Sequence, residues 1–226
     1  MPETPQLHTQ CNAAIGSLHI NAEFTTTQPW TVLFGPSGSG KSSLLRLIAG
    51  LWQPKESLVL LGANDLTHTP AHKRRIALVA QQPALFPNMD VRQNIAFACN
   101  KAEISAHALQ LLALNEHANK KPDALSGGER QRTAIARAIA SRPHALLLDE
   151  VFTGMHRTQR DTHMQQLRTH CATHNIAVLA VTHDLQEALE ADEVIRIEAG
   201  RIAAQGNPND VLAEEKAAMI ASLSQR

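Results

Sequence analysis

Gly35-Pro36-Ser37-Gly38-Ser39-Gly40-Lys41-Ser42-Ser43 is the stretch of this 226-residue chain best suited to chemistry. Its G-x4-G-K-S spacing is that of a phosphate loop. Glycines let such a loop turn tightly and aim backbone N–H groups at phosphate oxygens, and the following helix adds its positive end. Lys41 is expected to reach the β- and γ-phosphates of a nucleotide, and the Ser42 hydroxyl to ligate Mg²⁺. A second stretch, Leu146-Leu147-Leu148-Asp149-Glu150, ends an apolar run in two carboxylates. Asp149 at the end of a strand can hold Mg²⁺, and Glu150 can polarise a water aimed at the γ-phosphate. Alone, an apolar run ending in Asp-Glu is a common solvated strand end. About a hundred residues after a phosphate loop, it gains a purpose.

The elements around these residues follow from pattern. Thr31–Phe34 is a short apolar run ending in glycine, the mark of a buried strand before a turn, and Ser43–Ala49 repeats apolar residues at helical spacing until Gly50. Leu58–Leu61 and Ile76–Ala80 read as strands, and Val91–Leu114 as helical. Gly127 begins a helix that ends before Pro143, Ala145–Leu148 is a strand, and Arg157–Thr173 is a polar helix. A strand closes at Thr182, a hairpin turns at Ala199-Gly200, and an amphipathic helix starts near Asp210. Strands alternating with helices imply an α/β fold with a mostly parallel sheet. No repeat or linker interrupts the chain, so one domain is expected.

Composition narrows the classes. Lys plus Arg equal Asp plus Glu at 21 each, a zero net charge that argues against binding nucleic acid by phosphate neutralisation. Twelve histidines make surface charge sensitive between about pH 5 and 7. Three unpatterned cysteines read as reduced thiols. The first residues lack a signal-peptide pattern, and no run approaches the ~18 apolar residues of a membrane span. Any service to a membrane is therefore expected to be peripheral.

Leu125-Ser126-Gly127-Gly128-Glu129-Arg130-Gln131 makes the pattern specific, because LSGGERQ resembles the signature sequence of the ABC ATPase family. SGGE could simply cap a helix. As an anion-binding helix start, it lies too far along to serve one nucleotide twice. Two chains head to tail resolve this, with Ser126, Gly127 and Gly128 of each facing the other's phosphate loop. The resemblance covers about residues 6–213. It implies a P-loop NTPase core with a small antiparallel β subdomain and an inserted α-helical subdomain near 83–142, all in one domain spanning 1–226. It further implies that Gln81, in VAQQPALFP, contacts Mg²⁺ and the attacking water near the membrane-subunit contact, and that His183 contacts the γ-phosphate. Asn119-Lys120-Lys121-Pro122-Asp123 resembles a guanine-reading motif but is one residue too long, and reads as a loop.

What the resemblance implies overall is an ATP- and Mg²⁺-dependent importer subunit, on the cytoplasmic face of the cell membrane. Its partners would be a second ATP-binding subunit, transmembrane permease subunits and an external binding protein, without nucleic acid. Among importers the likeness is greatest to molybdate-type ATPases, with tungstate or sulfate as other cargoes, although the accessory C-terminal domain of many of those is not expected from these residues. Alternatives are a binding subunit with little turnover and a non-transport ABC ATPase acting on DNA or ribosomes. Two departures matter. No aromatic precedes Phe24, so adenine is expected to lie on Ile15 or a nearby aliphatic residue with weak base selectivity. His156 replaces an aspartate of the family pattern after Asp149-Glu150, which suggests slower or pH-sensitive hydrolysis.

Overall fold

The computed structural model describes residues 4–99, 101–153 and 157–223. In chain order, it opens with strands β1 (Leu7–Ile15), β2 (Leu18–Thr25) and β3 (Trp30–Phe34), helix α1 (Lys41–Ile48), and strands β4 (Ser57–Leu61) and β5 (Asn64–Asp65). Next come β6 (Ile76–Val79), α2 (Val91–Ala96), α3 (Ala102–Leu111), α4 (Gly127–Ala140), β7 (Ala145–Asp149) and α5 (Arg157–Thr173). The chain finishes with β8 (Ala177–Thr182), α6 (Leu185–Leu189), β9 (Glu193–Glu198), β10 (Arg201–Gly206), α7 (Pro208–Val211) and α8 (Ala213–Leu223). Two compact units result. One takes the chain up to Arg74 and again from Ala177; the other is Arg75–Ile176.

The first unit is a mixed sheet in the order β5-β4-β1-β2-β10-β9-β3-β8. β3 runs parallel to both β8 and β9, and all five of its residues are buried. That burial explains why it reads as a continuous apolar run rather than an alternating one. β1, β2, β4 and β5 pair antiparallel. β1 and β2 were not among the strands expected from sequence. In β1 the inward positions include Thr9 and Cys11, which do not register as an apolar period.

α1 buries Lys41, Leu44, Leu45 and Ile48, one stripe at helical spacing. Its far end is plugged by Arg74, which is 2% exposed. The guanidinium donates through Nη1 to the carbonyls of Leu47 (2.9 Å) and Ile48 (2.8 Å), and through Nε to Thr69 O (2.7 Å). A cation on the last carbonyls satisfies acceptors the helix cannot, and matches the negative end of its dipole.

In the second unit β6 and β7 pair in parallel from Ile76↔Ala145 to Val79↔Leu148, and α2, α3 and α4 pack on one another. The expected helical stretch 91–114 is two helices, parted between Phe97, which caps α2, and Lys101, which precedes α3. Cys11 of the first unit and Cys171 of the second are buried, which pushes their thiols up to about 11 and about 12 and leaves them unreactive.

One carboxylate ties several strands together. Glu193 is 3% exposed and accepts from Thr27 N (2.9 Å), Thr27 Oγ1 (2.8 Å), Thr31 Oγ1 (3.0 Å) and Gln205 Nε2 (2.8 Å). Burial works to raise its pKa, but these donors outweigh it and hold the group below its ordinary value. A depressed carboxylate contributes stability above its unfolded pKa, near 4.3, and loses it as pH falls through the folded value. Glu193→Gln should therefore cost about 1–3 kcal/mol at pH 7. In urea unfolding followed from pH 7 towards pH 3, the gap between variant and wild type should narrow below about pH 5.

Candidate functional site

In the first unit, Phe34 at the end of β3 lies opposite Thr182 on one side and Arg196 on the other. The residues that follow, Gly35 and His183, thus leave the sheet at one level on neighbouring strands, about 4.8 Å apart in the pairing direction. Gly35 passes so close to β9 that a Cβ would stand 2.1 Å from Ile197 O, and only glycine fits. Pro36, Ser37 and Gly38 are exposed at the crest of the loop, with Gly38 and Gly40 at φ 79° and 106°.

Gly40 caps α1 without any side-chain hydrogen bond, and the first turn of the helix carries no acid. Lys41 is 5% exposed, and its Nζ donates to the carbonyls of Gly35 and Pro36, each at 2.8 Å. Ser39 Oγ is buried without a partner. A helix start bare of capping carboxylate, a buried ammonium inside the loop and an orphaned hydroxyl fit a phosphate group. Ser42 is exposed at the second position of α1, and Ser43 is half-buried after it.

His183 is held by its neighbours. Thr182 Oγ1 donates to the Glu187 carboxylate and accepts from Asp184 N at 3.0 Å, while Asp184 caps α6 by accepting from Glu187 N at 3.0 Å. His183 is thus an exposed residue in a turn locked on both sides.

In the second unit, the pairing of Val79 with Leu148 brings the ends of β6 and β7 level. Gln81 Nε2 donates to Glu150 Oε2 at 3.0 Å; Gln82 makes no such bond to Glu150. Asp149 is half-buried at the strand end, and Glu150 has φ 49°. A left-handed glutamate costs about 1–3 kcal/mol, strain of the kind that collects at functional sites. Buried Gln131 donates to Ala80 O at 3.2 Å and so steadies the backbone just before Gln81. Gln81, Glu150, Gly127, Gly128 and Gln131 line one cavity of about 320 Å³. Ser42, Gln81 and Asp149, the side chains expected to serve Mg²⁺, offer the hard oxygen donors that ion takes.

The start of α4 differs from that of α1. Ser126 Oγ accepts from Glu129 N at 3.3 Å, and Glu129 Oε2 accepts from Ser126 N at 2.7 Å. This reciprocal box is completed by His117 Nε2, 3.3 Å from Glu129 Oε1. The Ser126 N–H above all, with His117 and Lys120 adding to it, holds the Glu129 carboxyl below its usual range. α4 therefore carries its own anion.

Sequence reasoning missed what braces the phosphate loop. The β9–β10 turn donates Gly200 N–H to Ser39 O at 3.1 Å and accepts from Asn21 N at 2.8 Å. A Cβ on Gly40 would touch Leu18 and Ile20 at 3.2 Å, so the β1–β2 hairpin closes over the start of α1. Ile15 pairs with Leu18 at the tip of that hairpin. The AG dipeptide announced a turn but not its target. His156 lies outside the described residues.

The profile of the ABC transporter family matches residues 20–153. The chain is 37% identical over 200 residues to the spermidine/putrescine import ATP-binding protein PotA of Haemophilus influenzae, covering 84% of this chain and 52% of that protein. It is 42% identical over 203 residues to a Salmonella choleraesuis protein provisionally assigned as the 2-aminoethylphosphonate import ATP-binding protein PhnT, covering 84% and 55%. The chain thus spans about half the length of these curated relatives. Among solved structures, it resembles a bacterial Atm1-family ABC exporter with ATP bound (TM-score 0.82, 26% identity, 97% of this chain and 42% of that one). It also resembles a dimeric ATP-binding cassette in a post-hydrolysis state with ADP and Pi (TM-score 0.78, 26% identity, 89% and 98%). These relatives do not support the molybdate likeness expected from sequence: the cargoes they name are polyamines and a phosphonate.

The brace is testable by two alanines. Gly16 (φ 59°) and Gly200 (φ 80°) both sit in the left-handed region, but a Cβ meets nothing at Gly16 and stands 2.1 Å from His19 O at Gly200. Gly16→Ala should cost about 1–2 kcal/mol from backbone strain alone. Gly200→Ala should cost clearly more in chemical denaturation, at least about 3 kcal/mol.

Proposed function

We propose, from the premise that this chain belongs to the ABC transporter family, that it is the ATP-hydrolysing subunit of an importer for a small solute. The observation that carries the reading is the phosphate loop: Lys41 set inside it, on a helix start left bare of any side-chain cap. In this proposal Gly35 to Ser43 wrap the phosphates of ATP, and Lys41 exchanges loop carbonyls for phosphate oxygens. Ser42, Asp149 and Gln81 hold Mg²⁺, which supplies charge neutralisation on the phosphates. Glu150 takes the proton of the attacking water, Gln81 orients that water, and His183 contacts the γ-phosphate. Ser126, Gly127 and Gly128 serve the nucleotide of a second copy, a reading supported by the dimeric cassette that this chain resembles. The two compact units then act as one catalytic domain.

Partners follow from the same reading. Among the described residues no helix is long and apolar enough to cross a membrane, so the proposal seats the chain on the inner face of the membrane against permease subunits, with an external binding protein delivering cargo. An apolar groove supports a docking role: Phe86 and Phe97 stand 4.5 Å apart, Arg137 lies over Phe86, and Phe97 is 63% exposed. As for cargo, polyamines and 2-aminoethylphosphonate both carry protonated amines. That shared chemistry supports a small amine-bearing solute in place of molybdate.

Two measurements test the reading. Glu150→Gln should lower ATP turnover by about 10²–10⁴-fold while ATP still binds, and Lys41→Ala should lose ATP binding. Wild-type binding in Lys41→Ala would overturn the proposal. The neighbours of the loop on its hairpin side, Leu18 and Ile20, are aliphatic. Without an aromatic face, which contributes about 1–3 kcal/mol to stacking, ATP and GTP should bind within about tenfold of each other in a titration.

A further inference from the structure

Three histidines stand together in the second unit, away from every residue assigned above. His107 of α3 and His170 of α5 point ring nitrogens at each other, Nε2 to Nδ1, at 3.4 Å. That is long for a hydrogen bond between rings. It is also the separation of two nitrogens bound at about 2.05 Å to one tetrahedral ion, which is roughly 3.35 Å. His174, one turn beyond His170, stacks on it at 4.2 Å between centroids, and its Nδ1 lies 2.8 Å from His170 O, which fixes the pair.

We propose that His107 and His170 form a two-histidine site for a divalent late-transition-metal ion of the zinc class. Both line a cavity of about 580 Å³, which leaves room for water to complete the coordination shell. Glu103, one turn before His107 on α3, lines the same cavity and can join as a hard donor. Among the described residues no three His, Cys, Asp or Glu side chains are already gathered around one point, so the preformed part of the site is the bite of two nitrogens. His170 lies in the last turn of α5, where the carbonyl end of the helix favours a cation. Burial, with His174 and His107 beside it, lowers the His170 pKa to about 4, and the same surroundings work against a bound cation. Arg75, Arg142 and His144 also line the cavity, and the two guanidinium charges oppose a second cation. Binding is accordingly of modest affinity. An ion there would tie α3 to α5.

Calorimetric titration of Zn²⁺ into the tag-free, metal-stripped chain tests this. The expected result is one ion per chain with Kd of about 1–100 µM. His107→Gln and His170→Ala should each weaken binding by about tenfold or more, and exposed His72→Ala should leave it unchanged. Zn²⁺ should raise the Tm of wild type and of His72→Ala, but not of His107→Gln. Absence of saturable binding up to about 1 mM, or equal binding by His107→Gln and wild type, overturns the proposal. His107 is exposed, so His107→Gln keeps the test decisive even if His170→Ala misfolds.

Discussion

Parallel strands that end at one level are the constraint on which this protein is built. Phe34 is paired on both sides, with Thr182 and with Arg196, and that register fixes where the chain is released from the sheet. The phosphate loop must begin at Gly35 because Ile197 O fills the space a side chain would need. His183 must appear beside it because Thr182 is the last paired residue of β8. The same logic operates in the second unit, where the level ends of β6 and β7 let Gln81 reach Glu150. A one-residue slip in either pairing would invert the side chains and scatter both sets of residues.

Two helix starts in this chain treat negative charge in opposite ways. α1 is capped by a glycine and offers no carboxylate of its own, whereas α4 is closed by Ser126 and Glu129, with His117 pressing on the same carboxylate. Both begin with glycine-rich sequence, and both satisfy the pattern for an anion-binding helix. The difference lies in one acidic side chain three residues past the cap. An anion approaching α1 meets a dipole of complementary sign. One approaching α4 meets a carboxylate held ionised by the very amide it caps. In the proposed head-to-tail pair, the second copy's phosphates would contend with Glu129 for that end of the helix.

Much of this was legible in the residues. Thr31–Phe34, the loop and the start of α1 follow from apolar runs and glycine spacing, and the strand closing at Thr182 and the turn at Ala199-Gly200 follow as directly. The family follows from LSGGERQ. β2 could also have been read, since Leu18, Ile20, Ala22 and Phe24 alternate; β1 could not, because Thr9 and Cys11 take core positions. Contacts distant in sequence stayed hidden: Gly200 against the phosphate loop, Gln131 against Ala80, Arg74 against the end of α1. Those depend on which surfaces meet, and no local pattern encodes that. The cargo stayed hidden for another reason. The motifs describe phosphate chemistry, and relatives named for different cargoes are alike named ATP-binding proteins.

The Arg74 plug has a consequence at the opposite end of its helix. α1 is eight residues long, so it spans about 12 Å between the buried guanidinium and the loop. A positive charge on the last carbonyls aligns with the peptide dipoles, and an anion at the first amides would align with them too. Charge of one sign is thus installed permanently at one pole of the helix, and the other pole stays ready for its counterpart. With a phosphate on the loop, as proposed, both poles of the helix would carry charge of the sign its dipole favours, one supplied by the protein and one by the ligand.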